Sequence, residues 1–223
     1  MKAWKIVAQA EAPGGGRLVL TQRDREFVIK VDGQLLMSSR AHGSEEAMAL
    51  AGLPSDSSRG PLRVLIGGLG CGYTLAAVLA HVGPAAEITV AEISAAVIDW
   101  NRGPLGPLAG HPLDDPRVEI ANADVAELLA AASRGWRAIL LDVDNGPQAL
   151  TTPSNHALYQ PRGIAALFAA LAPKGKLVVW SAGPDVAFAG RLRAAGFAVD
   201  VQSVAARTAA RGGRHTLFVG TRP

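Results

Sequence analysis

The sequence predicts an α/β fold in which a small N-terminal antiparallel sheet precedes a mostly parallel sheet with an antiparallel last strand. From residue 62 onward, short runs rich in Val, Ile and Leu alternate with segments of helical pattern. Such strands are typical of a parallel sheet that is covered on both faces. Before residue 40, apolar and polar side chains instead alternate along short segments separated by turn residues, which indicates antiparallel hairpins.

The first 60 residues are predicted to form the small sheet, one helix and a linker. Strands are expected at 5–10, 17–21, 26–31 and 34–38. Asp32-Gly33 is a strong two-residue hairpin signal between the last two of them. A helix is expected at 45–53, and the Ser-, Asp- and Gly-rich segment that follows is typical of a linker. We therefore divide the chain into a region at 1–60 and a domain at 61–223.

The second part alternates strands and helices as right-handed crossovers require. Strands are expected at 62–67, 87–92, 117–121, 138–143, 176–181, 197–202 and 215–220. Helices are expected at 73–81, 95–101, 125–132, 161–171 and 186–195. Because only a loop joins the last two strands, we expect them to pair antiparallel.

Composition limits the class of protein. With 223 residues, 49% of them hydrophobic, the chain suffices for one large α/β core plus an appendage. No apolar run reaches the roughly 20 residues of a membrane span, and no signal-peptide pattern is recognisable at the N-terminus. The single cysteine, Cys71, excludes an internal disulfide and a multi-cysteine zinc site. We therefore expect a cytoplasmic protein that lacks a metal.

The net charge of +3 and the pI of about 9.3 raise the question of nucleic-acid binding. Three arginines cluster only in the Gly- and Ala-rich segment 207–214. No aromatic residues are interleaved with them, and solvated basic loops are common. Nucleic acid is therefore not the expected partner, and nucleic-acid methylation rests on this stretch alone.

A glycine-rich turn joins the first parallel strand to its helix. Gly68, Gly70 and Gly72 permit positive φ and let a ligand reach the backbone amides. The positive end of the helix suits an anionic group such as an amino-acid carboxylate. The spacing departs from the dinucleotide pattern G-x-G-x-x-G, and the Gly-Lys-Ser/Thr of a P-loop is missing. An S-adenosyl ligand fits better, and a tight turn without a ligand is the alternative.

Two acidic residues follow the next two strands, at the edge where open α/β sheets bind ligands. Glu92 ends the second strand, where its carboxylate can accept hydrogen bonds from two ribose hydroxyls. A surface carboxylate capping the next helix is the alternative. Asp124 follows the third strand, where it can accept from an adenine amino group, act as a helix N-cap, or do both.

Asp142 is the best catalytic candidate. It ends the apolar strand Ile139-Leu140-Leu141, and a carboxylate at the end of a buried strand is costly to desolvate unless it has a partner or a chemical role. A purely structural role is the alternative. Trp180, at the end of the fifth strand, can either line a pocket or pack in the core.

These motifs resemble those of the spermidine synthase family of aminopropyltransferases, which have a Rossmann-type, methyltransferase-like fold. The glycine-rich loop is similar to 68–74, the ribose-binding acid to Glu92, and the Gly-Asp-Ala adenine motif to 123–125. The Leu158-Tyr159 pair before a helix also looks like a family feature. The resemblance implies S-adenosylmethionine or its decarboxylated form as co-substrate, and a homodimer.

The resemblance is weaker on the acceptor side. The family's Asp-Ser-Ser/Thr-Asp-Pro loop places its first aspartate on Asp142 and its second on Asn145, with Asp144 as a substitute. An amide cannot act as a base or neutralise an ammonium. Upstream, Arg40 matches, but Glu45 and Glu46 stand in place of a Tyr-Gln pair.

By resemblance, the residues assigned to the acceptor are Asn145, Asp144, Tyr159 and Glu46. The expected reaction is the transfer of an aminopropyl or methyl group to a small acceptor such as an amine, by attack on a carbon next to a sulfonium. A carboxylate at Asp142 would take the proton. The alternative is a nucleoside-binding or interaction protein of the same fold that has lost polyamine synthesis.

Overall fold

The computed structural model describes residues 2–40, 42–58, 60–131, 135–143, 153–206 and 213–223. The strands are β1 Lys5–Glu11, β2 Arg17–Arg23, β3 Glu26–Val31, β4 Gln34–Ser38, β5 Leu62–Gly67, β6 Ala86–Ala91, β7 Val118–Ala121, β8 Trp136–Leu141, β9 Leu171–Ser181, β10 Ala198–Ala205 and β11 Arg214–Thr221. The helices are α1 Gly43–Gly52, α2 Tyr73–Leu79, α3 Ala95–Arg102, α4 Val125–Ala131, α5 Pro153–Leu158, α6 Pro161–Ala170 and α7 Val186–Ala194. No helix in the described ranges is long and apolar enough to cross a membrane.

The N-terminal strands form the predicted antiparallel sheet in the order β1-β2-β3-β4. Asp32 and Gly33 both have positive φ, 47° and 83°, as a tight two-residue hairpin turn requires. One face of β2 and β3 buries Leu18, Leu20 and Ile29 in the same apolar cluster as the parallel sheet. The small sheet is therefore packed on the larger one.

Seven strands form the main sheet in the order β10-β11-β9-β8-β5-β6-β7. Strands β5 to β9 run parallel, whereas β11 pairs antiparallel with both β9 and β10. The predicted fold class, including the antiparallel end of the sheet, is confirmed.

Alternate side chains of the central strands enter two separate apolar clusters. Val64 and Ile66 of β5 belong to the cluster under α1, α2 and α3, whereas Leu65 belongs to the cluster with α4, α6 and α7. Both faces of the sheet are thus covered, which explains the nearly continuous apolar sequence of β5 and β8.

The register of the central strands aligns their carboxyl ends. Gly67, the last residue of β5, pairs with Ala91 of β6 and with Leu141 of β8, and Ala91 pairs with Ala121 of β7. The residues that follow these strands must therefore lie side by side at one edge of the sheet.

Three features differ from the sequence-based expectations. Helix α1, grouped with the N-terminal region, packs on the parallel sheet so closely that a Cβ on Gly52 would collide with Leu140 of β8. Strand β9 begins at Leu171 instead of 176, through an irregular pairing with β8 at which Lys174 adopts a φ of 62°. Helix α5 was not predicted, and the boundary near residue 60 stays a prediction.

Candidate functional site

A cavity of about 440 Å³ lies between the carboxyl edge of the parallel sheet and the N-terminal sheet. Its floor contains the loops after β5, β6 and β8, together with the start of α1. Its roof is formed by β2, β3 and β4, which contribute the apolar side chains of Leu18, Ile29 and Met37. The predicted ligand edge is therefore closed over by an apolar surface that the small sheet supplies.

The glycine-rich loop brings backbone close to the cavity at two of the three predicted glycines. Gly68 has a φ of 90°, and a Cβ there would collide with the backbone oxygen of Asp142. Gly70 has a φ of 57° and lies under Met37, whose Cε would be 2.9 Å from a Cβ at this position. Both glycines line the cavity.

Gly72 has a different position. It is the N-cap of α2 with a φ of 81°, and a Cβ on it would meet Pro112 at 3.1 Å and Asn101 at 3.2 Å. It is not among the residues that line the cavity. The structure therefore does not bring Gly72 to the cavity lining, and its cofactor role stays a prediction.

The backbone amides of this loop are partly used within the protein. The amide of Gly68 donates to Ala91 O at 2.8 Å, and that of Gly72 donates to Leu69 O at 2.9 Å. The amide of Leu69 donates to Glu92 Oε2 at 2.9 Å. Fewer loop amides are therefore available for an anionic ligand group than the sequence suggested.

Glu92 is a buried carboxylate that ties the glycine-rich loop to the end of β6. Its second oxygen, Oε1, accepts from the amide of Ser94 at 2.9 Å. Burial raises the pKa of Glu92, and the backbone hydrogen bonds oppose that rise. Glu92 lines the cavity, where the backbone amides of Leu69 and Ser94, and after them those of Gly70 and Ile93, act on its carboxylate.

Asp124 lines the cavity from the start of α4. Its Oδ1 accepts from the amide of Ala126 at 2.9 Å, so the residue caps the helix as the alternative interpretation proposed. A carboxylate bound through one oxygen keeps acceptor sites on the other. The helix cap thus fixes Asp124 at the cavity wall and leaves it able to bind a ligand.

Asp142 lies at the floor of the cavity, directly after β8. Its amide donates to Gly67 O at 2.9 Å, which fixes the backbone beside the glycine-rich loop. Burial, and then the nearby Glu45 carboxylate, raise the pKa of Asp142 to about 7. A carboxyl group with this pKa can take up or release a proton near neutral pH, as a general base requires.

Glu45 is a site residue that the sequence did not identify. It lies in the first turn of α1 and lines the cavity, with its Oε2 accepting from Ser44 Oγ at 2.7 Å. Burial raises the pKa of Glu45. The sequence shows adjacent acids at 45 and 46, but only the packing of α1 on the sheet decides which of them enters the cavity.

Glu46 and Tyr159, both assigned to the acceptor, lie elsewhere. The Glu46 side chain, 46% exposed, pairs with His42 Nδ1 at 2.9 Å and is not part of the cavity lining. Tyr159 is fully buried in the second apolar cluster, edge-on to Phe188 at 5.5 Å. The turn between α5 and α6 packs Tyr159 into the core, so the structure does not bring it to the cavity.

Two further predicted residues, Asp144 and Asn145, lie outside the described residues, as does most of the basic segment 207–214. Trp180 does line the cavity, edge-on to His215 at 4.5 Å. Arg40, matched by resemblance, pairs instead with Glu26 at 3.3 Å at the surface. The described ranges contain no group of three or more His, Cys, Asp or Glu arranged to hold a metal ion.

The cavity is strongly acidic. Four carboxylates of the described residues line it: Glu45, Glu92, Asp124 and Asp142. Among the described residues of its lining there is no lysine or arginine. Burial, together with the Glu45 and Asp142 carboxylates, raises the pKa of the Cys71 thiol to about 12, so this group stays neutral. An uncompensated set of carboxylates favours a cationic ligand.

The mostly parallel seven-stranded sheet gives the chain an α/β fold like that of methyltransferases. Human methyltransferase-like protein 13 in complex with SAH superimposes with a TM-score of 0.61 at 20% identity, over 82% of this chain and 83% of that one. At this identity the likeness concerns the fold alone.

The chain belongs to the spermine/spermidine synthase domain family, whose sequence profile matches residues 44–186. It is 33% identical over 160 residues to polyamine aminopropyltransferase 1 of Streptomyces coelicolor, an alignment that covers 69% of this chain and 28% of that relative. The chain thus spans under a third of the length of this curated relative. The predicted family resemblance is confirmed.

Two solved spermidine synthases share the fold over almost the whole chain. The enzyme from Thermotoga maritima gives a TM-score of 0.77 at 22% identity, covering 98% of this chain and 73% of that one. A spermidine synthase in complex with the transition-state analogue AdoDATO gives 0.76 at 21% identity, covering 98% and 72%. The small N-terminal sheet is included in both superpositions, since they cover 98% of this chain.

Proposed function

We propose that this protein transfers an aminopropyl group from decarboxylated S-adenosylmethionine to a small amine. The observation that carries the proposal is the acidic cavity: four carboxylates and, among its described lining residues, no lysine or arginine. Decarboxylated S-adenosylmethionine has a sulfonium and an ammonium but no carboxylate. Such a cavity favours it over S-adenosylmethionine, whose carboxylate would face the four acids without a basic side chain.

The nucleoside is assigned to the end of the cavity formed by the loops after β5, β6 and β7. Glu92 would accept from the two ribose hydroxyls, and Asp124 from the adenine amino group. Gly68 and Gly70 would let the ligand approach the backbone closely. Membership of the spermine/spermidine synthase domain family supports this placement.

The amine is assigned to the other end, between Glu45, Asp142 and Trp180. Its nitrogen lone pair would attack the carbon next to the sulfonium. The carbon–sulfur bond breaks, its electron pair stays on sulfur, and neutral methylthioadenosine leaves. The Asp142 carboxylate would accept the proton that the nitrogen loses. Positioning provides most of the acceleration in such a displacement, and the base adds roughly 10² to 10⁴ in rate.

The proposal is tested by binding and turnover measured on the same variants. Calorimetry should show that decarboxylated S-adenosylmethionine binds more tightly than S-adenosylmethionine. Turnover with 1,4-diaminobutane is followed by the methylthioadenosine released. Glu92→Gln should weaken nucleoside binding about tenfold or more, whereas Glu87→Gln, a control near the start of β6 with its side chain 77% exposed, should not.

Asp142→Asn should keep the binding and lose the turnover. Tighter binding of S-adenosylmethionine than of its decarboxylated form would contradict the proposal. So would equal turnover by wild type and Asp142→Asn.

A second candidate is a nucleoside-binding protein of the same fold that no longer makes polyamines. Its support is that Glu46 and Tyr159, assigned to the acceptor by resemblance, lie away from the cavity. It predicts normal binding of methylthioadenosine with no turnover of any tested amine by the wild-type protein. Methyl transfer from S-adenosylmethionine would appear in the same assay as adenosylhomocysteine.

A further inference from the structure

A hydrogen-bonded series connects the last strand to the acceptor end of the cavity. His215 Nδ1 lies 2.9 Å from Ser44 Oγ, and Ser44 Oγ lies 2.7 Å from Glu45 Oε2. His215 is on β11 and the other two residues are on α1, so the series exists only because α1 lies across this end of the sheet. Both His215 and Glu45 line the cavity, while Ser44 is 1% exposed.

The chemistry of the three groups fixes the direction of the hydrogen bonds. An ionised carboxylate only accepts, so the single hydroxyl hydrogen of Ser44 points to Glu45. Ser44 Oγ must then accept from His215, which places a hydrogen on Nδ1. Burial lowers the pKa of His215, which favours the neutral ring. In that ring, Nε2 carries a lone pair.

Several titratable groups act on this network. His42, the N-cap of α1, and Glu46 of α1 act on Glu45, and Glu45 in turn raises the pKa of Asp142 at the end of β8. From the glycine-rich loop and α2, Cys71 and Tyr73 have pKa values of about 12 and remain neutral. Trp180 of β9 packs edge-on against His215 and does not titrate.

We infer that His215 is a positioning residue for the amine acceptor: through Ser44 it holds the Glu45 carboxylate in place, and protonation of its ring repels the cationic acceptor. This inference rests on the proposed function. The physical reason is that the charge-assisted hydrogen bond from Ser44 holds the long side chain of Glu45 in one rotamer. A second proton on His215 puts a positive charge beside the site that the acceptor cation must occupy.

Four variants separate positioning from titration. His215→Gln keeps an N–H donor for Ser44 and cannot titrate, His215→Ala removes the donor, and Ser44→Ala interrupts the series. His81→Gln is the matched control, because His81 binds Ala77 O and does not line the cavity. The measurement is the KM for 1,4-diaminobutane and the kcat of each variant between pH 5.5 and 8.

At pH 8, His215→Ala and Ser44→Ala should each raise the KM for the diamine about tenfold. Ser44→Ala removes the charge-assisted hydrogen bond to Glu45, and His215→Ala removes the hydrogen bond that orients the Ser44 hydroxyl toward it. The KM for the nucleoside should not change. A fifth variant that combines His215→Ala with Ser44→Ala should resemble either single one, because both changes interrupt the same series. His215→Gln should match the wild type at pH 8 and have the lower KM at pH 5.5. Additive effects, or an unchanged KM in His215→Ala, would overturn the inference.

A measurement without turnover separates this inference from the proposed function. Nitrogen-15 NMR of the wild-type imidazole should show the Nδ1–H form of His215, titrating below the ordinary pKa of 6.5. Ser44→Ala should shift the ring toward the Nε2–H form. If the wild type has this tautomer but transfers nothing to any diamine, the proposed function fails and the network stands. An Nε2–H tautomer in the wild type refutes the network.

Discussion

The Asp142→Asn variant should be more stable than the wild type, and its advantage in unfolding free energy should grow as the pH rises. The side chain lies at the cavity floor, where burial and Glu45 raise its pKa from 3.8 to about 7. In the unfolded chain the group ionises near 3.8, whereas in the folded protein it stays protonated until about pH 7. The contribution of the protonated Asp142 carboxyl group to the free energy of unfolding is therefore fully present below pH 3.8 and is lost as the pH rises through 7. Asn cannot ionise and avoids this loss.

The size of the effect follows from the difference between the two pKa values. At 1.36 kcal/mol for each pKa unit, a rise from 3.8 to about 7 corresponds to about 4 kcal/mol. Water that reaches the open side of the cavity reduces this penalty, so we expect about 2 to 4 kcal/mol. In a chain of this length that is roughly 5 to 15 °C in Tm.

Urea unfolding of wild type and Asp142→Asn at pH 4.5 and pH 8 measures the effect. The advantage of the variant in unfolding free energy should grow between the two pH values, while its turnover at pH 8 falls by about 10² to 10⁴. Asp99→Asn, on the exposed side of α3 with a side chain 72% exposed, is the surface control. A variant advantage that is equal at both pH values would refute the assignment of Asp142 as a desolvated base.

Three further changes probe the geometry. Glu45→Gln removes the negative neighbour of Asp142 and should move the acid limb of kcat/KM to lower pH by roughly one unit; no movement would place Glu45 too far away to matter. Gly68→Ala, which forces a Cβ onto the Asp142 backbone oxygen at positive φ, should destabilise by about 2 kcal/mol or more in urea unfolding. Gly190→Ala, in α7 where a Cβ would meet nothing within 4 Å, should instead stabilise the protein by about 0.5 to 1 kcal/mol. An equal loss of unfolding free energy in both glycine variants would contradict the argument from close approach.

Much of the fold was predictable because the controlling signals are local. Alternating polarity and Asp32-Gly33 specify the first hairpins, and buried apolar runs specify β5 and β8. The extension of β9 back to Leu171 was not predictable, because it depends on pairing with Trp136 and on a positive φ at Lys174. Neither a long-range pair nor an unusual φ at a lysine leaves a pattern in the sequence.

The candidate site divides in the same way. Gly68, Glu92 and Asp142 each directly follow a parallel strand, and the register of a parallel sheet must bring strand ends together. Glu45 and His215 have no such constraint, since one begins a helix and the other lies within an edge pair of strands. Gly72 shows the converse, because its spacing matches the motif although it does not line the cavity and a Cβ on it would meet Pro112.

The two ends of the cavity should differ in how easily a residue change alters substrate selection. The end of the cavity that we propose for the nucleoside is built from consecutive strand ends, so its position follows from the fold. The acceptor end depends on how α1 lies over the sheet, which brings Ser44 to His215 across 171 residues of sequence. A change of residue in the first turn of α1 would alter the charge that meets the acceptor without disturbing β5, β6 or β8. Acceptor preference should therefore change with residues 44 and 45 while nucleoside affinity stays the same, and exchanging Glu45 for a neutral side chain should lower the preference for a diamine over a monoamine.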